Sequence, residues 1–213
     1  MGSAKLLLPW QGRTLIEHLL DAWRQSRVTR TVVVARADDE RLVDKLRRLD
    51  VDLVLPTHPL PQMKDSVQAA LVHIDTHLQP QPHDAWLLAP ADMPRLSPRV
   101  IEQLLLAYAA TPVPALVPSQ DGLRGHPVLF SWSQSSAVFG LPADQGVNSL
   151  LQRLPVTEID CGEPESWDDI DRPQDYFRLQ AATARPPTDS APSKKADDDD
   201  GSHRPLSGDV VGG

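Results

Sequence analysis

Short apolar, β-branched runs alternate with stretches of helical period through most of the chain, and this alternation limits the fold more than any other feature. Thr31-Val32-Val33-Val34-Ala35, Val51 to Leu55, Trp86-Leu87-Leu88-Ala89, Ala115-Leu116-Val117, Pro127-Val128-Leu129-Phe130 and Val156 to Ile159 read as strands. Runs that are apolar at every position belong to strands covered on both faces. Thr14-Leu15-Ile16-Glu17 reads as a capping box, because a Glu three residues on reaches back to the helix start. The helix that follows puts Leu15, Leu19, Ala22 and Trp23 on one face. Asp38 or Asp39 starts a second helix, with Leu42, Val43, Leu46 and Leu49 inward. Val67, Ala70, Leu71, Ile74 and Leu78 mark a third. Ser97-Pro98 starts a fourth, with a hydroxyl at the cap and proline at the first helical position. Val100, Ile101, Leu104, Leu105 and Tyr108 form its inward face. Asn148 to Leu154 reads as a short helix and Pro173 to Leu179 as a closing one. The order predicts an α/β fold with a mostly parallel sheet between helices. In such sheets ligands bind beyond the carboxyl ends of the strands, so chemistry is sought just after them.

At 213 residues the chain has room for one domain, or one domain and a tail. The pattern fills residues 1–181; 182–213 is rich in Pro, Ser, Gly and Asp, carries the run Asp197 to Asp200, and reads as a disordered tail. The Asp run is read as a solvated charge block rather than a cation site. Twenty-nine acidic against 21 basic residues give a net charge of −8, which disfavours a nucleic-acid backbone as partner. The single cysteine, Cys161, excludes an internal disulfide framework and a multi-cysteine zinc site. No apolar run approaches the roughly 20 residues of a membrane span. Leu6-Leu7-Leu8 is interrupted at once by Pro9, unlike a signal peptide. These features predict a soluble, cytoplasmic protein with neither membrane nor nucleic acid among its partners.

Five segments carry candidate chemistry. Asp92, in Ala89-Pro90-Ala91-Asp92-Met93-Pro94, follows a buried strand. A carboxylate there either ligates a hard cation such as Mg²⁺ or caps a turn, and position alone leaves both open. Lys5 follows Gly2 in a loop leading to Leu6-Leu7-Leu8-Pro9, where an ammonium neutralises polyphosphate or simply solubilises the terminus. Gly122-Leu123-Arg124-Gly125-His126-Pro127 permits close backbone approach of a ligand beside His126, or is a plain loop entering a strand. Asp144-Gln145-Gly146-Val147-Asn148 turns into a helix whose positive end favours an anion, or is simple capping. Asp171, in Asp168-Asp169-Ile170-Asp171-Arg172-Pro173, either caps the closing helix or supplies a second metal carboxylate. Other residues fit less. Cys161 has no adjacent base. Ser3, Ser66 and Ser149 lie in no nucleophile elbow. His73 and His77 lack the Glu and third ligand of a zinc protease, and neither a P-loop nor a G-x-G-x-x-G run occurs.

Taken together these segments resemble the MobA-like nucleotidyltransferases, most nearly the branch of molybdenum cofactor cytidylyltransferases. Met1-Gly2-Ser3-Ala4-Lys5-Leu6-Leu7-Leu8-Pro9-Trp10-Gln11-Gly12, with Leu15-Ile16-Glu17-His18, resembles M-G-x-x-K-L-L-L-P-x-x-G…L-I-E-H. Asp92-Met93-Pro94 matches G-D-M-P with Ala91 for the Gly, and Met63-Lys64-Asp65-Ser66-Val67 resembles G-M-x-x-S-L with Gln62 for the Gly. Gly125 to Phe130 matches G-H-P-V-L-F, a feature of the cytidylyl branch. Asp144 to Leu151 resembles G-D-x-G-A-R-x-L-L, and Asp169 to Tyr176 resembles D-I-D-T-P-E-D-Y. The match runs in order through nearly all of residues 1–180. The resemblance implies a Rossmann-like, three-layer α/β/α fold and a Mg²⁺-dependent transfer of the EC 2.7.7 type. CMP would pass from CTP, or a nucleotidyl group from another NTP, to molybdopterin carrying molybdenum, with release of pyrophosphate. It implies Lys5 and Asp92 as catalytic residues and Asp92 with Asp171 as metal ligands. Gly2, Lys5, Ser66, His126, Asp144 and Gly146 would contact nucleotide or substrate. A molybdoenzyme or its chaperone would be a further partner.

The departures are specific. The family's L-A-A-G-x-S-x-R, holding its first strand and Gly-rich loop, stands directly before M-G, and this chain starts at that Met. Loss of that strand would bare an edge on each neighbour. The family's Ala-Arg is Val147-Asn148 here. Two explanations compete: an upstream start, or a degenerate gene. Two further functions stay open, a non-catalytic protein that delivers or binds cofactor and a sugar-1-phosphate nucleotidyltransferase.

Overall fold

The structure is a computed structural model and describes residues 3–162 and 168–184. A 3₁₀ turn, Ser3–Leu7, leads into a hairpin of β1 (Pro9–Trp10) and β2 (Arg13–Thr14). The two hairpin residues Gln11 and Gly12 both take positive φ, 45° and 81°, as a tight two-residue turn requires. Trp10 is buried with Leu15, Ile170, Tyr176 and Leu179, so the hairpin packs on the closing helix. The α1 helix (Leu15–Arg24) starts at Thr14, whose amide and hydroxyl donate to the Glu17 carboxylate at 2.9 and 2.6 Å. This is the predicted reach-back, and the predicted face of Leu15, Leu19, Ala22 and Trp23 is buried.

Next comes a parallel pair, β3 (Val32–Val34) and β4 (Asp52–Val54), joined through α2 (Glu40–Leu46), which Asp39 caps. After α3 (Met63–Leu78) the chain builds a five-stranded sheet from β5 (Ala85–Leu88), β6 (Ala115–Gln120), β7 (Leu123–Arg124), β8 (Val128–Ser131) and β9 (Val156–Asp160). The α4 helix (Pro98–Ala110) links β5 to β6. A short α5 (Ser135–Phe139) and a 3₁₀ segment (Val147–Gln152) link β8 to β9, and α6 (Pro173–Ala184) closes the described chain. β6 and β9 pair in parallel, and β5 shares their direction; β8 runs against them between β5 and β6.

The period of two along these strands makes the three layers. Leu87, Leu116 and Leu129 point to Val100, Leu104 and Tyr108 of α4. Their neighbours Trp86, Ala115, Val117, Val128 and Phe130 point the other way, to Val67 and Leu71 of α3 and Val138 of α5.

Several details depart from the pattern. The valines of β3, read as a buried strand, are only half-buried. Among the described residues β3 pairs only with β4 and β5 only with β8, so each has one edge without a partner strand. Leu78, assigned to an inward face, is 38% exposed, because it ends α3 beyond the reach of the sheet. Neither α5 nor β7 was expected. The closing helix runs to Ala184, past the predicted domain limit at 181, and the rest of the proposed tail lies outside the described residues.

Candidate functional site

The carboxyl end of β5 opens into Ala89–Pro94, and the chain after β9 returns as residues 168–171 beside it. The two segments are stitched by the Ile170 amide, which donates to the Asp92 carbonyl at 3.1 Å. Met93 and Ile170 are buried, and they anchor the backbone on either side of the carboxylates. The 3₁₀ turn places Lys5 over this seam. Its ammonium donates to Asp92 Oδ2 at 2.5 Å and to the Ile170 carbonyl at 2.9 Å, and lies 3.8 Å from Asp171 Oδ1. Lys5 and Asp92 are 15% and 17% exposed, whereas the Asp171 side chain is 70% exposed. Leu6 and Leu7 fix the turn by packing on the cluster that holds Ile16, Leu20, Leu42 and Leu46.

Electrostatics mark the same place. The Asp169 carboxyl is held above its ordinary range by burial first, and then by the charges of Asp171 and Asp92. Burial pushes the His126 imidazole down; a hydrogen bond with the Leu88 backbone and the charges of Asp169 and Asp92 oppose this. Asp92 Oδ1 and His126 Nδ1 are both buried and have no hydrogen-bond partner among the described residues. A second tier lies outside: Arg95 is 3.4 Å from Asp168, and Arg178 is 3.7 Å from it.

The structure therefore gathers Lys5, Asp92, His126 and Asp171 in one group. Ser66 lies on α3, and the Asp144–Gly146 turn is fastened to the same helix through Lys64. Ser66 stands half-buried in the first turns of α3. Lys64, two residues before it, donates to the Pro142 and Ala143 carbonyls at 2.6 and 3.3 Å, which seats the turn on the start of α3. Gly2 lies outside the described residues. At α6 the carboxylate that reaches back is Asp175, bonded to the Arg172 amide at 2.8 Å, which leaves Asp171 facing Lys5. Sequence reasoning missed three participants. Asp169 stood in the quoted acidic stretch without a role, the Ile170 carbonyl has no sequence signature, and Lys64 stood at an unspecified position of the Met63 to Val67 segment. A separate cleft of about 180 Å³ between α1 and the starts of β3 and β4 is lined by Arg13, Asp21, Arg30 and Asp52, whose charges already pair with one another.

A divalent cation fits the group around Lys5 and Asp92. Asp92 offers a buried acceptor without a hydrogen-bond partner among the described residues, and Asp169 and Asp171 add carboxylates whose charges act on one another. Among the described residues no three His, Cys, Asp or Glu side chains form a ready cage. A pair of carboxylates completed by substrate phosphates is the set that Mg²⁺ ordinarily accepts.

Fold and site together define an α/β protein with a lysine and several carboxylates gathered beyond the carboxyl end of β5. The model of the MobA-like NTP transferase domain matches residues 1–158, and the chain belongs to that family. It is 26% identical over 185 residues to nicotine blue oxidoreductase of Paenarthrobacter nicotinovorans, covering 82% of this chain and 87% of that one. It is also 26% identical over 180 residues to a probable molybdenum cofactor guanylyltransferase of Bacillus anthracis, covering 83% and 82%. Among solved structures, Rv0371c of Mycobacterium tuberculosis superposes with a TM-score of 0.70 at 23% identity, covering 85% of this chain and 91% of the other. That protein has also been solved with manganese. The structural likeness is one of fold. No helix among the described residues is long and apolar enough to cross a membrane.

Proposed function

We propose that the protein transfers CMP from CTP to a molybdopterin-type molybdenum cofactor and releases pyrophosphate. The observation that carries this reading is the Lys5–Asp92 pair beyond β5, with Asp92 Oδ1 unpartnered among the described residues and Asp171 facing the same ammonium. In the reaction a phosphate oxygen of the acceptor attacks the α-phosphorus of CTP, and the bond to the bridging β-phosphate oxygen breaks. Lys5 neutralises charge on the phosphates and is aimed by Asp92 and the Ile170 carbonyl. Asp92 and Asp171 would hold Mg²⁺, which when bound supplies charge neutralisation and alignment of the phosphates. His126, whose buried Nδ1 has no partner among the described residues, would be a hydrogen-bonding group for the bound substrate, and Ser66, Asp144, Gly146 and Gly2 would make further contacts to it.

The acceptor class draws support from the guanylyltransferase relative, and the choice of cytidine from the Gly125 to Phe130 segment. The two curated relatives carry different activities in their names, so membership alone does not fix the substrate. Pyrophosphate release is measured with molybdopterin and CTP, GTP or ATP in turn, with and without Mg²⁺. CTP is expected to lead, and preference for GTP would refute the cytidylyl assignment. Asp92→Ala should lower release by at least about 100-fold; unchanged release would refute the role of Asp92. Sugar 1-phosphates serve as alternative acceptors in the same assay.

A non-catalytic reading, a fold that binds or delivers cofactor, is favoured by one observation: Val147-Asn148 stands where the family has Ala-Arg. Calorimetry with CTP and Mg²⁺ separates the two readings, since clear nucleotide binding counts against it.

A further inference from the structure

Lys64 is 6% exposed, and no other charged side chain among the described residues is as deeply buried. It occupies the first turn of α3, where the helix already presents its positive end. An ammonium is unfavourable in such a place unless acceptors surround it. Among the described residues no carboxylate pairs with it. Its acceptors are two backbone carbonyls, Pro142 at 2.6 Å and Ala143 at 3.3 Å. The Pro142 carbonyl also accepts from the Gln145 amide at 3.0 Å, so the lysine grips the turn at the atom that closes it. Pro142, Ala143 and Asp144 are exposed, and the turn is pinned at its ends by the buried Leu141 and Val147. Between those two pins, Lys64 is the side chain that fastens its backbone to α3.

We infer that Lys64 is a positioning residue: it fixes the 142–146 turn on the start of α3 and so sets where Asp144 and Gly146 stand relative to Ser66. The inference rests on the ligand site proposed above. It assigns a role to a lysine that makes no contact with Lys5, Asp92 or Asp171 and that the reaction itself does not use. The geometry also explains why lysine suits the place. A flexible stem carrying three donors on one atom can serve two nearby carbonyls, whereas the planar fork of arginine spreads its donors apart. Methionine fills a similar volume with no donor at all.

The test uses the whole chain as Lys64→Met and Lys64→Arg, with two readouts. The first is amide hydrogen exchange across 141–147. The Met variant should exchange at least about tenfold faster there and elsewhere as wild type does. The second is steady-state kinetics of pyrophosphate release. The Met variant should raise KM for nucleotide or acceptor about tenfold while kcat stays within about twofold, and the Arg variant should recover part of both changes. Unchanged exchange at 141–147 overturns the clamp. Faster exchange with unchanged KM for both substrates overturns the positioning role, as does faster exchange throughout the protein with kcat and KM falling together. Should the Met variant fail to fold, the Arg variant is read against the same criteria. Exchange needs no turnover, so a wild type that releases pyrophosphate from no nucleotide would overturn the function proposed above and the ligand role, and would leave the clamp to be decided by exchange alone.

Discussion

Replacing Glu17 by glutamine should lower stability at neutral pH and flatten its dependence on acid. The Glu17 carboxylate receives the Thr14 amide at 2.9 Å and the Thr14 hydroxyl at 2.6 Å, and it pairs with Lys45 of α2 at 2.8 Å. Burial pushes this carboxyl up, but Lys45 and the two Thr14 donors outweigh burial and hold it at about 2 rather than the ordinary 4.5. A displacement of that size is worth at most about 3 kcal/mol. The Lys45 side chain is 31% exposed, so water screens the pair. About half of the ceiling, roughly 1.5 kcal/mol, is the expected loss. The sign follows from the depressed folded-state value. The stabilisation is complete above about pH 4.5 and is lost as pH falls toward 2. Urea unfolding of both proteins between pH 7 and pH 2.5 reads the effect. At pH 7 the Gln variant should be about 1.5 kcal/mol weaker, or roughly 4 °C lower in Tm for a domain of this size. The gap should close with acid. Equal gaps at both ends of the range, or none at pH 7, would refute the reasoning. The consequence reaches the site, because Glu17 and Lys45 tie together the two helices on which the turn carrying Lys5 rests.

Two further outcomes follow from the core and the carboxylates. Leu104 is fully buried between α4 and the sheet, and Leu104→Ala should cost about 2–5 kcal/mol in chemical denaturation; a loss well under 1 kcal/mol would mean that α4 does not pack as described. Mg²⁺ with CTP should raise the Tm of chelator-treated wild type, by about 2.7 kcal/mol of added stability at a hundredfold excess over Kd. Asp92→Asn should erase the part that depends on Mg²⁺, and an identical Mg²⁺ effect in that variant would remove Asp92 from the cation site.

Features set by local chemistry were legible in the sequence. The capping box at Thr14 and Glu17, the proline at the start of α4 and the inward faces of α1 and α4 depend on residues within a few positions of each other; the Ser97 hydroxyl, read as a cap, makes no cap hydrogen bond. Asp92 was legible for a related reason: a carboxylate directly after a buried strand is carried to the end of the sheet where ligands bind. What depends on distant partners was not. A buried strand reads the same in either direction, so nothing in Val128 to Phe130 shows that β8 runs against β5 and β6. The valines of β3 have the composition of a covered strand, yet their burial is set by which strands lie alongside. The role of Asp169 needed the fold as well, since only the fold brings the 168–171 segment against Asp92.

Under the proposed function, the charge balance of the site couples the binding of nucleotide and metal. The charges of Asp92, Asp169 and Asp171 act on one another around the Lys5 ammonium, and Asp92 Oδ1 has no hydrogen-bond partner among the described residues. A triphosphate arriving alone would add negative charge to this group, and Coulomb repulsion would oppose its binding. A cation arriving alone would find two carboxylates and no phosphates to complete its oxygen shell. Each therefore improves the place for the other, and by linkage the gain in affinity is the same in both directions. Lys5 takes part in the same balance. It bonds Asp92 Oδ2 and the Ile170 carbonyl; were Asp92 and Asp171 to hold a cation, the ammonium would be drawn less to Asp92 and more to phosphate. Under the proposed function the pair seen here would be the resting form of a group whose members re-partner when nucleotide and metal enter together.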